Sequence, residues 1–485
     1  FFFAVICTFV AVYSSRSHVD VTPDRSSSSS TSNFTEVCTW VIFAACSSAL
    51  LLAVTNDLCQ GIAPIPLLWI APLAVYLITF VICFDYGAIV RPTVYAVLVP
   101  AALIGLVAVH ANPNLSIRLA VPLCLVSLFV ACMFCHGQLY DRKPESGSLT
   151  RFYLAISLGG AIGSVFVGLV APSLFSDYFE LPVAVTACLL LALKFIFGYR
   201  ARAFLVTCAV IALALLRIFG TFSDDGAITV QVRNFYGAMA VRESTRNVGI
   251  VRTLSHGGTV HGGQIVAKNQ LKEPTAYYGR ESGVAVALQR SAGKQRVGVV
   301  GLGVGTVAAY GHAGDSYRFY EINPLVQELA NTHFTYLRDS GAAIKVVLGD
   351  GRLSLASERD QHFDTLILDA FSGDSVPFHL LTREAFQLYF RHVKPDGVIA
   401  VHISNRYLDL SSVIARNAAT LGRLAVRIIS APHPERAILT ADWILVAADG
   451  DFLKQQVQQN IGTRLLPGTG RPWTDQYSNI LSALR

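Results

Sequence analysis

The sequence predicts a multi-pass α-helical membrane part followed by an α/β part, in which a small antiparallel β unit precedes a doubly wound parallel sheet. Three observations carry this expectation. Charge is uneven: 20 Lys, Arg, Asp and Glu residues fall in 1–220, against 50 in 221–485. The first part consists of apolar stretches of bilayer length. From residue 295 onward, short apolar runs alternate with helix-length segments. The expected division is a membrane domain over 1–220, a β domain over 221–290 and a sheet domain over 291–485.

The chain is 53% hydrophobic and only 14% charged, well below the roughly 25% usual for soluble domains. Apolar stretches lie near 1–13, 38–56, 64–84, 93–110, 118–139, 152–175, 182–199 and 203–220. Several reach the roughly 20 residues a spanning helix needs. They are apolar on every side, which predicts lipid-facing spans. The chain opens on Phe1 inside an apolar run, which predicts either a truncated first span or the remnant of a cleaved signal. The Ser-rich tract RSHVDVTPDRSSSSSTSN reads as a loop.

The span SLGGAIGSVFVGLV carries Gly159, Gly160, Gly163 and Gly168, small residues that let helices approach closely. Charges inside the spans are nearly absent, and Lys194 lies near an end where it can snorkel, so ion-coupled transport has no candidate residues. CMFCH at 132–136 has the C-x-x-C-H spacing of haem attachment, but its place in an apolar helix points to packing. Basic residues gather in loops 14–37, 85–92, 140–151 and 200–202, which the positive-inside rule makes cytoplasmic. With eight spans this parity would put the second half on the opposite side.

All ten cysteines lie at or before Cys208, so no disulfide framework holds the second half. Its net charge of +4, without basic runs interleaved with aromatics, excludes a nucleic-acid footprint. Residues 227–265 alternate polar and apolar positions between Gly and Asn turns, the pattern of a small antiparallel β unit. RVGVV, YRFYE, IKVVLGD, FDTLILD and GVIAVHI then read as parallel strands of a Rossmann-like sheet. Ligands of such sheets bind beyond the strand C-termini.

Candidate site residues lie there. Gly301, Gly303 and Gly305 follow the first strand and are expected to open a helix, with backbone N–H groups free to approach a ligand. Glu321 ends the second strand, where a carboxylate accepts ribose hydroxyls. Asp350, with Gly351 after it, ends the third, and Asp369 ends the fourth over the middle of the pocket. GLGVGT departs from G-x-G-x-x-G, which suits an adenosyl sulfonium better than a dinucleotide. His256 and His261 are a turn or substrate-facing pair without a third metal ligand nearby, so no metal is expected. Arg406 reads as a surface arginine or a carboxylate binder.

HGGTVHGGQ, EPTAYYG, DAFSGDSVPFHLLT and PWTDQYSNIL, with CHGQLYDRKP and LTRFYLAISLGGAIG before them, resemble the membrane-fused members of the spermidine synthase (polyamine aminopropyltransferase) family. The resemblance implies a methyltransferase-type Rossmann fold over roughly 227–485. It also implies decarboxylated S-adenosylmethionine, or S-adenosylmethionine, as co-substrate rather than a permanently bound cofactor. Gly301, Gly303 and Gly305 would surround that donor, Glu321 would hold its ribose, Asp350 its adenine, and Gln264 would face its tail. Tyr277 or Tyr278 would line the acceptor site. Asp369 would orient a polyamine nitrogen and accept its proton.

The chain departs from the family at the D-x-x-D motif. Ser372 stands in the second aspartate's place; either Asp374, the nearest carboxylate, takes the catalytic role beside Asp369, or the chemistry has changed. Three functions follow as alternatives: a membrane-bound aminopropyltransferase acting on a polyamine such as putrescine, an S-adenosylmethionine-dependent methyltransferase, and a non-catalytic nucleoside- or polyamine-binding module. The expected partners are the lipid bilayer, the two small molecules and a second copy of the chain in a homodimer. Because the donor is made in the cytosol, the second half is expected on the cytoplasmic side of the inner membrane.

Overall fold

The computed structural model describes residues 34–61, 66–86, 92–111, 115–197, 226–257, 259–290, 293–371, 376–405, 408–447 and 450–483. Six helices come first: α1 (Phe34–Gly61), α2 (Pro66–Tyr86), α3 (Pro92–Ala111), α4 (Ile117–Tyr140), α5 (Leu149–Val165) and α6 (Glu180–Phe197). A π-turn and a last short helix carry α5 on to Leu174. Among the described residues, four segments are long and apolar enough to cross a membrane: Phe34–Cys59, Trp69–Tyr86, Arg118–Tyr140 and Leu149–Leu174. Val97–His110 is a shorter apolar helix. The stretches expected at 1–13 and 203–220 lie outside the described residues.

Aromatic packing holds the bundle. Trp40, Phe43, Phe134 and Phe152 are fully buried, and Trp40 meets Phe152 edge-to-face at 5.1 Å. Trp40 Nε1 donates to the Arg142 carbonyl at 3.1 Å, and the Arg142 guanidinium lies 4.6 Å from the Phe195 ring centre. Two of the four expected packing glycines are needed for close approach. A Cβ on Gly159 would stand 2.4 Å from the Val41 carbonyl oxygen, and one on Gly163 would stand 2.3 Å from that of Ala45. Gly160 and Gly168 face open space. Cys132, Cys135 and His136 are buried between helices, with His136 Nδ1 3.1 Å from Thr79 Oγ1.

The β unit is an antiparallel meander of β1 (Ala227–Asn234), β2 (Gly237–Arg246), β3 (Gly249–His256) and β4 (Thr259–Ile265). The larger sheet contains β5 (Arg296–Val300), β6 (Ser316–Glu321), β7 (Ala343–Leu348), β8 (Phe363–Leu368), β9 (Val393–His402), β10 (Leu424–Ser430), β11 (Ala441–Ala447) and β12 (Thr463–Arg464). Its order is β12-β10-β11-β9-β8-β5-β6-β7.

Five strands, β5 to β9, pair in parallel as expected. The sheet as a whole is mixed: beyond these five strands, β11 runs antiparallel to both β9 and β10. The link between β10 and β11 covers only residues 431–440, too short for the dozen or more residues of a parallel crossover. Arg427 and Asp442 pair across that hairpin, with Nε to Oδ1 at 2.9 Å.

The bundle and the β unit are joined by one buried clasp. Arg233 on β1 donates to both oxygens of Glu180, at 2.9 and 2.8 Å, and to the Asp177 carbonyl at 2.8 Å. Its guanidinium lies 4.4 Å from the Tyr178 ring centre, and the Ala238 N–H donates to the Tyr178 hydroxyl at 3.1 Å. α5 runs from the basic loop holding Arg142 and Lys143 to Leu174, so this joint lies at the opposite end of α5 from that loop.

Gly163→Leu is expected to force α5 off α1. Overpacking a close contact costs about 1–3 kcal/mol or more, so the melting temperature in detergent should fall, while Gly160→Ala leaves it unchanged. Equal melting temperatures would refute the close-packing role.

Candidate active site

A cavity of about 190 Å³ opens at the C-terminal ends of the parallel strands, between the large sheet and the β unit. β5 ends in an apolar run that breaks at Gly301 (φ +100°), where a Cβ would stand 2.2 Å from the Asp369 carbonyl oxygen. Only glycine lets the two strand ends lie this close. The loop continues through Gly303 into a 3₁₀ helix, Thr306–Tyr310, rather than the expected α-helix. Gly301 and Gly303 line the cavity. Gly305 does not: it forms the left-handed cap of the turn, with Leu337 where its side chain would be.

Glu321 ends β6, buried. Its Oε2 accepts from the Leu302 N–H at 3.0 Å and its Oε1 from the Asn323 N–H at 2.8 Å, so it braces the glycine loop against its own strand. Burial raises its pKa, and the backbone N–H bonds pull the other way. Asp350 caps helix α7 (Gly351–Ser357), accepting from the Leu353 N–H at 2.9 Å, while its other oxygen meets His379 Nε2 at 2.9 Å. Gly351 sits against β5, where a Cβ would stand 2.5 Å from Val300 Cγ1.

Asp369 lies at the centre. The Tyr278 hydroxyl donates to Oδ2 at 2.5 Å, and His402 Nδ1 lies 2.7 Å from Oδ1. His402 Nε2 lies 2.8 Å from Ser404 Oγ, which accepts the Asp442 N–H at 2.9 Å. The imidazole stacks on Trp443, with ring centres 4.4 Å apart and planes 10° off parallel. Trp443 Nε1 donates to the Tyr277 carbonyl at 3.2 Å. Burial and then the Asp369 charge hold the Tyr278 hydroxyl well above its usual pKa, so it stays a donor.

Thus Gly301, Gly303, Glu321, Asp350, Gly351, Asp369, Tyr277 and Tyr278 come together around one cavity. Gln264 does not join them, which corrects the expectation that it faces the ligand. It is buried beside the pocket, its amide donating to Leu271 O and Thr335 Oγ1, each at 2.8 Å, and accepting the Thr335 N–H at 3.1 Å. Asp374, Ser372 and Arg406 lie outside the described residues.

His256 and His261 do line the cavity, with buried Nε2 atoms that have no partner among the described residues. Burial lowers both pKa values, and His261 is pushed down to about 4 by burial and then by His256, against the opposing charge of Asp369. His402 was missed in the sequence, although VHIS ends the fifth strand as LILD ends the fourth.

Among the described lining residues are three carboxylates, Glu321, Asp350 and Asp369, and no lysine or arginine. One group of metal-ligand geometry occurs elsewhere among the described residues. Cys46, Cys135 and Cys188 are buried in the bundle with sulfur atoms within 4.8 Å of one another.

No family profile matches the chain. The chain is 31% identical over 113 residues to a polyamine aminopropyltransferase of Vibrio vulnificus, covering 22% of this chain and 37% of that protein. It is 29% identical over 114 residues to a probable polyamine aminopropyl transferase of Bifidobacterium longum, covering 22% and 23%. The matches therefore span well under half the length of these curated relatives. Among solved structures, a probable spermidine synthase from Corynebacterium glutamicum aligns at 17% identity with a TM-score of 0.40, over 52% of this chain and 98% of that one. Human methyltransferase-like protein 13 aligns at 19% identity with a TM-score of 0.29, over 40% and 90%. The spermidine synthase resemblance read from the sequence holds over about 22% of the chain.

Folded His261 titrates near 4 where an unfolded histidine titrates near 6.5. Between those values the unfolded chain takes up a proton that the folded chain refuses, so stability falls as pH drops from 6.5 toward 4. At about 1.4 kcal/mol per unit, the loss is roughly 3 kcal/mol. The raised Glu321 acts in the opposite sense, so the difference from a variant isolates the histidine. His261→Gln should flatten the fall of melting temperature over this window. Parallel pH profiles for the two proteins would contradict the assignment.

Proposed function

We propose that the protein is a membrane-bound aminopropyltransferase, which moves the aminopropyl group of decarboxylated S-adenosylmethionine to a primary amine, a polyamine such as putrescine being the reference acceptor. The observation that carries the reading is the charge of the cavity: three carboxylates line it among the described residues, with no lysine or arginine. A donor that is cationic at both its sulfonium and its amine suits such a wall. Among the described lining residues an intact S-adenosylmethionine carboxylate would meet no lysine or arginine, which favours the decarboxylated donor over the methyltransferase reading. The matches to aminopropyltransferases over 113 and 114 residues support the same class.

In this reading Gly301, Gly303 and Glu321 hold the nucleoside and Asp350 its base. The acceptor nitrogen must be neutral to attack, although a free amine of this kind has a pKa near 10.4. Asp369 orients it and accepts its proton, as a general base must. The nitrogen forms a bond to the propyl carbon, and the carbon–sulfur bond gives its electron pair to sulfur. The products are a neutral thioether, methylthioadenosine, and the aminopropylated amine. The Tyr278 hydroxyl and His402 Nδ1 fix the carboxylate while leaving each oxygen a second lone pair.

The donor's source puts the pocket on the cytoplasmic side. The β unit docks at the end of α5 opposite the basic loop. The charge rule would make that basic loop the cytoplasmic one.

Two outcomes follow. Asp369→Asn should lower methylthioadenosine formation by about 10²–10⁴-fold while donor binding persists; unchanged turnover would overturn the assignment. A reporter fused after Arg485 should be active only in the cytoplasm. Activity only outside the inner membrane would remove the donor from reach and overturn the reading.

A further inference from the structure

We propose that the acceptor is a primary amine borne on an apolar chain, and that it enters the cavity from the bilayer surface; this rests on the aminopropyl-transfer reading above. The first observation is the place of the cavity mouth. The candidate span Leu149–Leu174 ends one residue before the segment 175–179, which on this reading meets the bilayer surface. The β1–β2 hairpin is clamped to that loop by Arg233 and Tyr178. A Cβ on Gly237 would stand 2.8 Å from the Tyr178 hydroxyl and 2.1 Å from His256 Nε2. One glycine therefore separates the membrane-side tyrosine from a histidine of the cavity wall.

The second observation is the rim. Phe235, at the hairpin tip, is 94% exposed, and beside it Tyr236 (38%) and Ile322 (46%) both line the cavity. Asn234 Nδ2 donates to Asn323 Oδ1 at 2.7 Å, tying the tip to the end of β6. Exposed aromatic and aliphatic side chains at a cavity mouth one loop from a span end match the composition of a bilayer interface.

The third is the wall. The half of the cavity built by the β unit is lined by Tyr236, Met239, Leu254, His256, Thr259, Val260 and His261, with no carboxylate among the described residues. The distal ammonium of a short diamine has no counter-charge on this wall, whereas an alkyl chain finds Met239, Leu254 and Val260. With the amine at Asp369, the chain would leave past Tyr236 toward the lipid.

The test uses the full chain in nanodiscs with decarboxylated S-adenosylmethionine, comparing putrescine with dodecylamine at low mole fraction. Dodecylamine should be consumed with a kcat/KM at least tenfold above that of putrescine, and Phe235→Ser should lower that ratio at least fivefold. Putrescine preferred, or the two amines equal, would overturn the proposal while leaving aminopropyl transfer standing. If neither amine yields methylthioadenosine, the transfer reading itself fails. The position of the mouth is read separately: Phe235→Trp should add emission quenched by brominated lipid beyond the wild-type signal. No added quenching would place the mouth in water and overturn the proposal.

Discussion

The cavity depends on one buried carboxylate. Glu321 holds the N–H of Leu302 with one oxygen and that of Asn323 with the other. A buried charge without such partners is strongly unfavourable; with them it pins the loop leaving β5 to the end of β6. The loop can only take this path because Gly301 has no side chain to strike the Asp369 carbonyl. The ends of β5, β6 and β8 are thus drawn together, and the side chains that follow them share one space.

Asp369 is the group that this arrangement delivers. Its two oxygens are held by a tyrosine whose hydroxyl stays protonated and by a histidine stacked on Trp443. Both partners are themselves buried, so the carboxylate has a fixed orientation in surroundings where electrostatic effects are stronger than in water. A flexible surface aspartate would have neither property. The same enclosure suits cationic ligands, since no lysine or arginine stands among its described lining residues.

Much of this was legible in the sequence because strand-end chemistry is local. An apolar run followed by glycines marks Gly301, and a carboxylate closing each of the next strands marks Glu321, Asp350 and Asp369. Other parts were not legible, for physical reasons. The antiparallel β10–β11 hairpin reads like any pair of apolar strands until the ten-residue link is weighed. The family resemblance implies that Gln264 faces the donor's tail, but its amide bonds to the Thr335 backbone and hydroxyl. His402 carries no motif; only the fold brings it to Asp369, 33 residues away. The Arg233–Glu180 clasp joins residues 53 apart that periodicity cannot relate. Gly159 and Gly163 were recognisable as small residues, but which of the four glycines face a neighbour is a property of the packed bundle.

The bundle and the β unit meet at that clasp, so the helices and the cavity wall belong to one continuous structure. The proposed function rests above all on the cavity's recognition of a cationic adenosyl donor. The most direct test is calorimetric titration of the detergent-purified full chain with decarboxylated S-adenosylmethionine and, separately, with S-adenosylmethionine. The account predicts tighter binding of the decarboxylated donor and loss of that binding in Glu321→Gln. Preference for the intact donor, or equal binding by the variant, would contradict it.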